Sequence, residues 1–280
     1  MARDLSNKVI VITGASSGIG AATALASARA GMDVVVSARR VERLRQVADD
    51  IERIGGRALV VSCDVRRDDD VERLIDEPCQ TFGRLDAVFT NAGYALIDRV
   101  LETPDEQARD LFETNYFGMI RCLKAAMPKL RQVPDGLKHL LICSSSVSEV
   151  GIPFYGVYCA TKAAQDSIAG ALRAELAGEG IEVTSIHPVG TRTDLFATAA
   201  AHSNRPAPEG VPNTPKSMVQ SPEEVAEAIV KALKKPRPEV WPRPAVRFGL
   251  AVLTAFPSIA ARSMRSQVSD DSMLKHTTDG

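Results

Sequence analysis

Six short runs rich in β-branched and apolar residues recur along the first 190 residues, at positions 8–13, 33–38, 58–62, 86–90, 137–143 and 182–187. Between them lie longer stretches, such as 41–54 and 71–82, whose apolar residues repeat at helical spacing. A strand that is apolar at nearly every position has no face to offer water, so helices must cover both sides of its sheet. The alternation predicts an α/β fold: a doubly wound, mostly parallel, seven-stranded sheet with helices on both faces, completed by a short strand near 239–241. No repeat or linker interrupts these residues, and a chain of 280 residues suits one large α/β domain better than two. Residues 1–242 are therefore read as a single domain. Ala, Pro, Asn and Ser cluster at 194–221, which reads as a lid over a binding site. Residues 243–280 form an extension with an apolar helical segment and a polar tail from Ser269.

The first run leads into Thr13-Gly14-Ala15-Ser16-Ser17-Gly18-Ile19-Gly20, directly before an Ala-rich helical stretch. Glycines at a strand-to-helix turn let the backbone approach a phosphate where a Cβ would intrude. The helix that starts near Gly18 aims its free N–H groups and its positive end the same way. A purely structural turn also uses glycine, but the flanking strand and helix give this one the context of a dinucleotide-binding, Rossmann-type fold. The second run ends Ser37-Ala38-Arg39-Arg40. An Asp or Glu there would accept from the ribose hydroxyls of NAD; Ala38 and Arg39 stand in its place, and a guanidinium forks onto a phosphate. NADP(H) is the favoured cofactor and Arg39 its clamp. NAD(H) stays open if both arginines are surface charges at the start of the next helix.

The net charge of −1, with basic and acidic residues interspersed, leaves no basic footprint for nucleic acid. Five cysteines, Cys63, Cys79, Cys122, Cys143 and Cys159, form no CxxC pair and no metal-ligand spacing, and read as small apolar residues in a reducing compartment. No metal is expected. The N-terminal residues show no apolar secretory core, and no apolar run approaches the ~18 residues of a membrane span. A soluble cytoplasmic protein is the expectation.

Tyr158 and Lys162 lie four apart in Tyr158-Cys159-Ala160-Thr161-Lys162, so a helix puts them on one face. A free phenol has a pKa of ~10, and acid–base work near neutrality needs it lowered by about three units, ~4 kcal/mol. One ammonium at ~4 Å, with an effective dielectric of ~20, provides an attraction of that order. Upstream, Ser144, Ser145 and Ser146 close the fifth run at the carboxyl edge of the sheet, where ligands bind in such folds. Any of the three could hold a substrate oxygen. Asn115 precedes Tyr116-Phe117-Gly118 in the long helical stretch after the fourth run.

Taken in this order, Thr-Gly-x3-Gly-Ile-Gly at 13–20, Asn91-Ala92-Gly93, Asn115, a serine thirteen residues before Tyr158, and Tyr-x3-Lys resemble the short-chain dehydrogenase/reductase family. The resemblance covers about residues 5–242 and points to the shorter, single-domain branch. It implies a reversible oxidoreductase that joins a carbonyl to its alcohol through a nicotinamide hydride. It selects Ser145 among the three serines to hold the substrate oxygen, makes Tyr158 the acid/base with Lys162 as its partner, and gives Asn115 a water that relays protons to Lys162. It places Gly14, Ser16, Ser17, Gly18, Ile19, Gly20, Arg39, Asp64, Val65, Asn91, Ala92, Gly93, Tyr158, Lys162, Pro188, Thr191 and Thr193 on the cofactor, with Asp64 at the adenine. Two departures stand out. Thr90 replaces the first Asn of the family's Asn-Asn-Ala-Gly, and Val189 replaces the Gly that usually follows the Pro at 188. Family habit implies a homodimer or homotetramer.

The stretch 151–155, with Leu195 and Phe196, should border the substrate. Its apolar character points to a lipid-, steroid- or aromatic-like ketone or secondary alcohol, with Glu149 the one fixed charge nearby. His187 and Cys159 are given no catalytic role, and Trp241 is expected in the core or an interface. The apolar run 247–257, flanked by Arg243, Arg262 and Arg265, is expected to cap the pocket or a subunit interface. Contact of 247–264 with an anionic membrane surface, or recruitment of a partner, are the other readings. Against the enzyme stands a non-catalytic nucleotide sensor on the same fold, which would have no need of Asn115, Ser145, Tyr158 and Lys162 together. Within the family, the alternative is an NAD-dependent alcohol dehydrogenase.

Overall fold

The computed structural model describes residues 2–134, 136–195, 198–199, 203 and 218–269. Most of the expected lid at 194–221, including Phe196, and the tail beyond Ser269 lie outside the described residues.

The alternating pattern gives seven strands: β1 (Val9–Thr13), β2 (Asp33–Ala38), β3 (Ala58–Ser62), β4 (Ala87–Thr90), β5 (His139–Cys143), β6 (Glu182–Ile186) and β7 (Glu239–Val240). They form one sheet in the order β3-β2-β1-β4-β5-β6-β7, and every pairing is parallel. Nine α-helices are described: α1 (Gly18–Arg29), α2 (Val41–Arg53), α3 (Asp68–Phe82), α4 (Asp105–Phe112), α5 (Gly118–Gln132), α6 (Gly156–Glu175), α7 (Pro222–Lys234), α8 (Pro244–Ala255) and α9 (Pro257–Ser269). A π-helical turn, Glu113–Phe117, joins α4 to α5. The third helix starts before the expected position 71 because Asp68, Asp69 and Asp70 fill its first turn, where carboxylates favour the positive helix end. The fifth strand begins at His139 rather than 137, although Leu137 is buried ahead of it.

Alternation along the strands divides the core in two. Ile10, Ile12, Val34, Val36 and Phe89 face one side and pack with residues of α1, α2 and α7. Val9, Val11, Val35, Val88, Leu140 and Ile142 face the other and pack with α3, α5 and α6. Each fully buried Val, Leu or Ile contributes about 1.5–3 kcal/mol, which is why a sheet this apolar has to be covered twice. The strand starts are pinned by Asp86, whose fully buried carboxylate accepts from the Val9 backbone N–H at 2.8 Å and from Arg84 at 2.7 and 2.6 Å.

The C-terminal extension forms α8 and α9, with Phe248 and Phe256 exposed. Among the described residues, no helix is long and apolar enough to cross a membrane.

His139 is fully buried at the start of β5, with Nε2 2.8 Å from Thr184 Oγ1, and burial depresses its pKa from 6.5 to about 3. The unfolded chain therefore takes up this proton first, so the contribution of neutral His139 is complete above its unfolded pKa and is lost as pH falls toward its folded one. Between pH 7 and pH 5 this group alone should cost about 2 kcal/mol of stability. Urea unfolding of the wild type and His139→Gln at both pH values checks this: the variant should lose less stability on acidification. Equal losses would contradict it.

Candidate active site

The strand order reverses direction between β1 and β4, and this is where an open α/β sheet leaves a crevice beyond its carboxyl edge. The two strand ends are tied together there. Thr13 Oγ1 accepts from the backbone N–H of Asn91 and of Ala92, each at 3.0 Å. The Asn91 side-chain amide donates to Thr13 O at 3.0 Å and to Gly14 O at 3.2 Å. Gly14 sits at φ +66°, and a Cβ on it would lie 2.9 Å from Ala92 Cα. A Cβ on Gly20 would lie 2.7 Å from the Asn91 amide nitrogen. Gly20 does not line the cavity, unlike Gly14 and Gly18; its lack of a side chain lets α1 close on the turn. Ser17, the residue before α1, uses no side chain to cap the helix, so the first N–H groups of α1 open toward the crevice. Bare backbone, a left-handed glycine and a helix N-terminus make a cradle that fits a pyrophosphate.

A cavity of about 550 Å³ runs from this turn along the carboxyl edge. At one end it meets Arg39, Arg40 and Asp64; at the other it passes Ser145, Tyr158 and Lys162. Ser16, Ser17, Ile19, Val65, Asn91, Ala92, Gly93, Pro188, Thr191 and Thr193 also line it. Of the expected catalytic and cofactor-binding residues, only Gly20 and Asn115 stand behind the wall. The Asp64 carboxylate is paired with Arg66 at 2.7 Å, and that contact, first, holds its pKa below the usual carboxylate range. Arg39 is the clamp expected from the sequence, yet it is Arg40 whose Nη2 donates to Ser16 Oγ at 3.0 Å and to Ser17 Oγ at 3.3 Å. Its guanidinium thus lies over the glycine turn. Beyond β6, Val189 N–H donates to Gln220 Oε1 at 3.0 Å, and Thr191 Oγ1 donates to Val189 O at 2.6 Å, so the chain departs from Pro-Gly without losing its place on the cavity.

Tyr158 and Lys162 stand one turn apart on α6, with Lys162 Nζ 5.6 Å from the Tyr158 ring centroid. Three serines in a row take three different partners. Ser144 Oγ donates to Lys162 O at 3.2 Å, Ser145 Oγ accepts from Val147 N–H at 3.3 Å, and Ser146 N–H donates to Pro188 O at 3.0 Å. The electrostatics differ from the sequence expectation. Burial pushes the Tyr158 phenol well above its ordinary value, opposed by the neighbouring Ser145 side chain, and burial pushes the Lys162 ammonium down. The ~4 Å ion–phenol attraction assumed from spacing is outweighed because both groups are dry.

Asn115 lies in the π-helical turn rather than in a regular helix, and it is fully buried. Its side-chain amide donates to Tyr94 O at 3.0 Å and to Thr161 Oγ1 at 3.1 Å, while its Oδ1 accepts from Tyr94 N–H at 3.0 Å. Thr161 in turn donates to Tyr158 O at 2.8 Å. Sequence reasoning missed Thr161 and Gln165, although Gln165 sits one helical turn after Lys162 and so shares its face. It also placed the stretch 151–155 and Glu149 near the substrate; Ile152, Tyr155 and Leu195 line the cavity, whereas Glu149, Gly151, Pro153 and Phe154 do not. His187 is held by Ser185 at 3.0 Å and stacks on Trp241 at 4.2 Å, and Cys159 packs among buried apolar residues. Val246, Leu250 and Met264 bring α8 and α9 against the outer end of the cavity.

A Rossmann-type sheet with a glycine turn at its switch point and a Ser, Tyr and Lys gathered beside it defines an NAD(P)-dependent dehydrogenase or reductase. The chain belongs to the short chain dehydrogenase family, whose model matches residues 8–204. It is 31% identical to an uncharacterized oxidoreductase of Listeria innocua over 83% of this chain and 92% of that protein. It is 30% identical to the bovine dehydrogenase/reductase SDR family member 7B over 97% of this chain and 84% of that one. Among solved structures, a short-chain type dehydrogenase/reductase from Mycobacterium marinum matches with a TM-score of 0.73 at 32% identity, covering 82% of this chain and 89% of the other. An alcohol dehydrogenase from the archaeon Thermococcus sibiricus, complexed with 5-hydroxy-NADP, matches with a TM-score of 0.70 at 31% identity, covering 82% and 91%.

Because Gly20 admits Asn91 and Gly14 so closely, Gly20→Ala should displace the turn and weaken nucleotide binding by about tenfold or more, the effect of losing roughly 1.4 kcal/mol. Fluorescence titration with NADPH measures it, and an unchanged affinity would show that the close approach is not needed.

Proposed function

We propose that the protein reduces apolar ketones to secondary alcohols with NADPH. The observation that carries this reading is the gathering of Ser145, Tyr158 and Lys162 on one cavity, with arginines at one end and apolar side chains at the other. Gly14, Ser16, Ser17, Gly18 and Ile19 would hold the pyrophosphate, and Arg39 with Arg40 the 2′-phosphate. Bound there, NADPH supplies the hydride.

The chain's own residues do the rest. The Ser145 hydroxyl orients the carbonyl oxygen, and the Tyr158 hydroxyl gives its proton to that oxygen as the carbonyl carbon becomes tetrahedral. Burial keeps Tyr158 protonated, which suits a proton donor. Lys162, held nearby, stabilises the phenolate left behind. Ile152, Leu195, Val246 and Leu250 give the substrate end no fixed charge, which favours a lipid-, steroid- or aromatic-like ketone over a small charged acid. The same residues would run the alcohol oxidation in reverse.

The turnover test sets NADPH with a panel of aryl and long-chain alkyl ketones against small 2-oxo acids. The ketones should react and the acids should not; comparable rates on the acids would sink the apolar reading. Tyr158→Phe should lower ketone turnover by about 10²–10⁴-fold while leaving NADPH affinity intact, and retained turnover would remove Tyr158 from proton transfer. Arg39→Ala and Arg40→Ala should each weaken NADPH binding by about 10–100-fold, with little change for NADH. Equal effects on both nucleotides would deny the two arginines a phosphate-binding role.

A further inference from the structure

We propose that Gln165 is a positioning residue for Lys162, its side-chain amide standing between the Lys162 ammonium and the Asn115 main-chain carbonyl. The inference builds on the proton-transfer site proposed above. The family resemblance implies a relay water held by Asn115 and reaching Lys162. Here Lys162 Nζ donates to Gln165 Oε1 at 2.9 Å, and Gln165 Nε2 donates to Asn115 O at 2.6 Å. The orientation of the amide is fixed by its partners, because an ammonium only donates and a carbonyl only accepts. All three residues are buried: Gln165 is 1% exposed, Lys162 5% and Asn115 0%.

An amide in this place does one part of what a water would do. It offers the ammonium an acceptor and satisfies the carbonyl, so it fixes the direction of the lysine side chain. Unlike a water, it does not hand a proton onward. Lys162 spends a second donor on Cys143 O at 2.8 Å, which leaves its third N–H for the cavity side, where Tyr158 stands. Gln165 and Cys143 O therefore aim the one remaining donor at the reacting end. Tyr158 and Cys143 are the titratable groups that face Nζ, and burial raises the pKa of both.

The test reads Lys162 directly, in nucleotide-free protein carrying ¹³C-labelled lysine, by titrating its ε-carbon resonance, which Lys162→Arg identifies by its disappearance. Gln165→Met keeps the volume and removes both bonds, so the Lys162 midpoint should fall by about one pH unit. Gln165→Glu puts an anion against the ammonium and should raise it by about one unit or more. Thermal melting and NADPH titration of each variant report whether the fold and nucleotide site persist. If Gln165→Met does not fold, Gln165→Glu carries the test alone. Opposite shifts in the two variants establish Gln165 as the lysine's anchor. An unmoved midpoint in folded variants overturns the inference, and does so whether or not the protein reduces ketones.

Discussion

The ends of β1 and β4 are held together by Thr13 and Asn91, and the site is assembled around that bond network. Thr13 has its hydroxyl shared by two backbone N–H groups of the next strand's exit loop. Asn91 returns the contact by binding the carbonyls of Thr13 and Gly14. With these loops locked, the glycine turn has one position available, and α1 can only leave it with its N-terminus facing the crevice. The absent Cβ atoms at Gly14 and Gly20 are what allow the lock to close. Everything that could meet a phosphate follows from this close packing at the point where the strand order reverses.

The opposite wall depends on burial of a charge. A lysine this enclosed is destabilised unless its donors are matched, and Cys143 O and Gln165 match two of them. The network continues through Asn115, Thr161 and the Tyr158 carbonyl, so α6 and the π-helical turn are registered against each other by hydrogen bonds rather than by apolar packing alone. The π turn matters here because Asn115 presents both its side chain and its main-chain carbonyl to α6. The same enclosure keeps Tyr158 protonated, reversing the electrostatics that a spacing argument suggested.

The fold was largely legible because it is written in local patterns. Val9–Thr13 and Asp33–Ala38 have no polar face, and Gly14, Gly18 and Gly20 mark where strand gives way to helix. The gathering of Ser145, Tyr158 and Lys162 was legible from their intervals once the sheet edge was placed. What the sequence hid depends on side-chain direction. Arg39 and Arg40 are indistinguishable as letters, and only the path of the chain out of β2 puts the Arg40 guanidinium on Ser16 and Ser17. Ser144, Ser145 and Ser146 are likewise alike as letters, and only the family interval singled out Ser145; in the structure the Ser144 hydroxyl is spent on Lys162 O. The π turn at Asn115 follows from tertiary contacts, and no residue in Glu113–Phe117 announces it.

The central claim is that a dinucleotide lies on the glycine turn with its 2′-phosphate between Arg39 and Arg40. The most direct measurement is a pair of equilibrium titrations of the unmodified protein, one with NADPH and one with NADH, followed by nucleotide fluorescence at low ionic strength. The account predicts binding of NADPH at least tenfold tighter than NADH, with the gap narrowing as salt screens the arginines. Equal or tighter binding of NADH would contradict the arginine clamp, and binding of neither would contradict the reading of the turn itself.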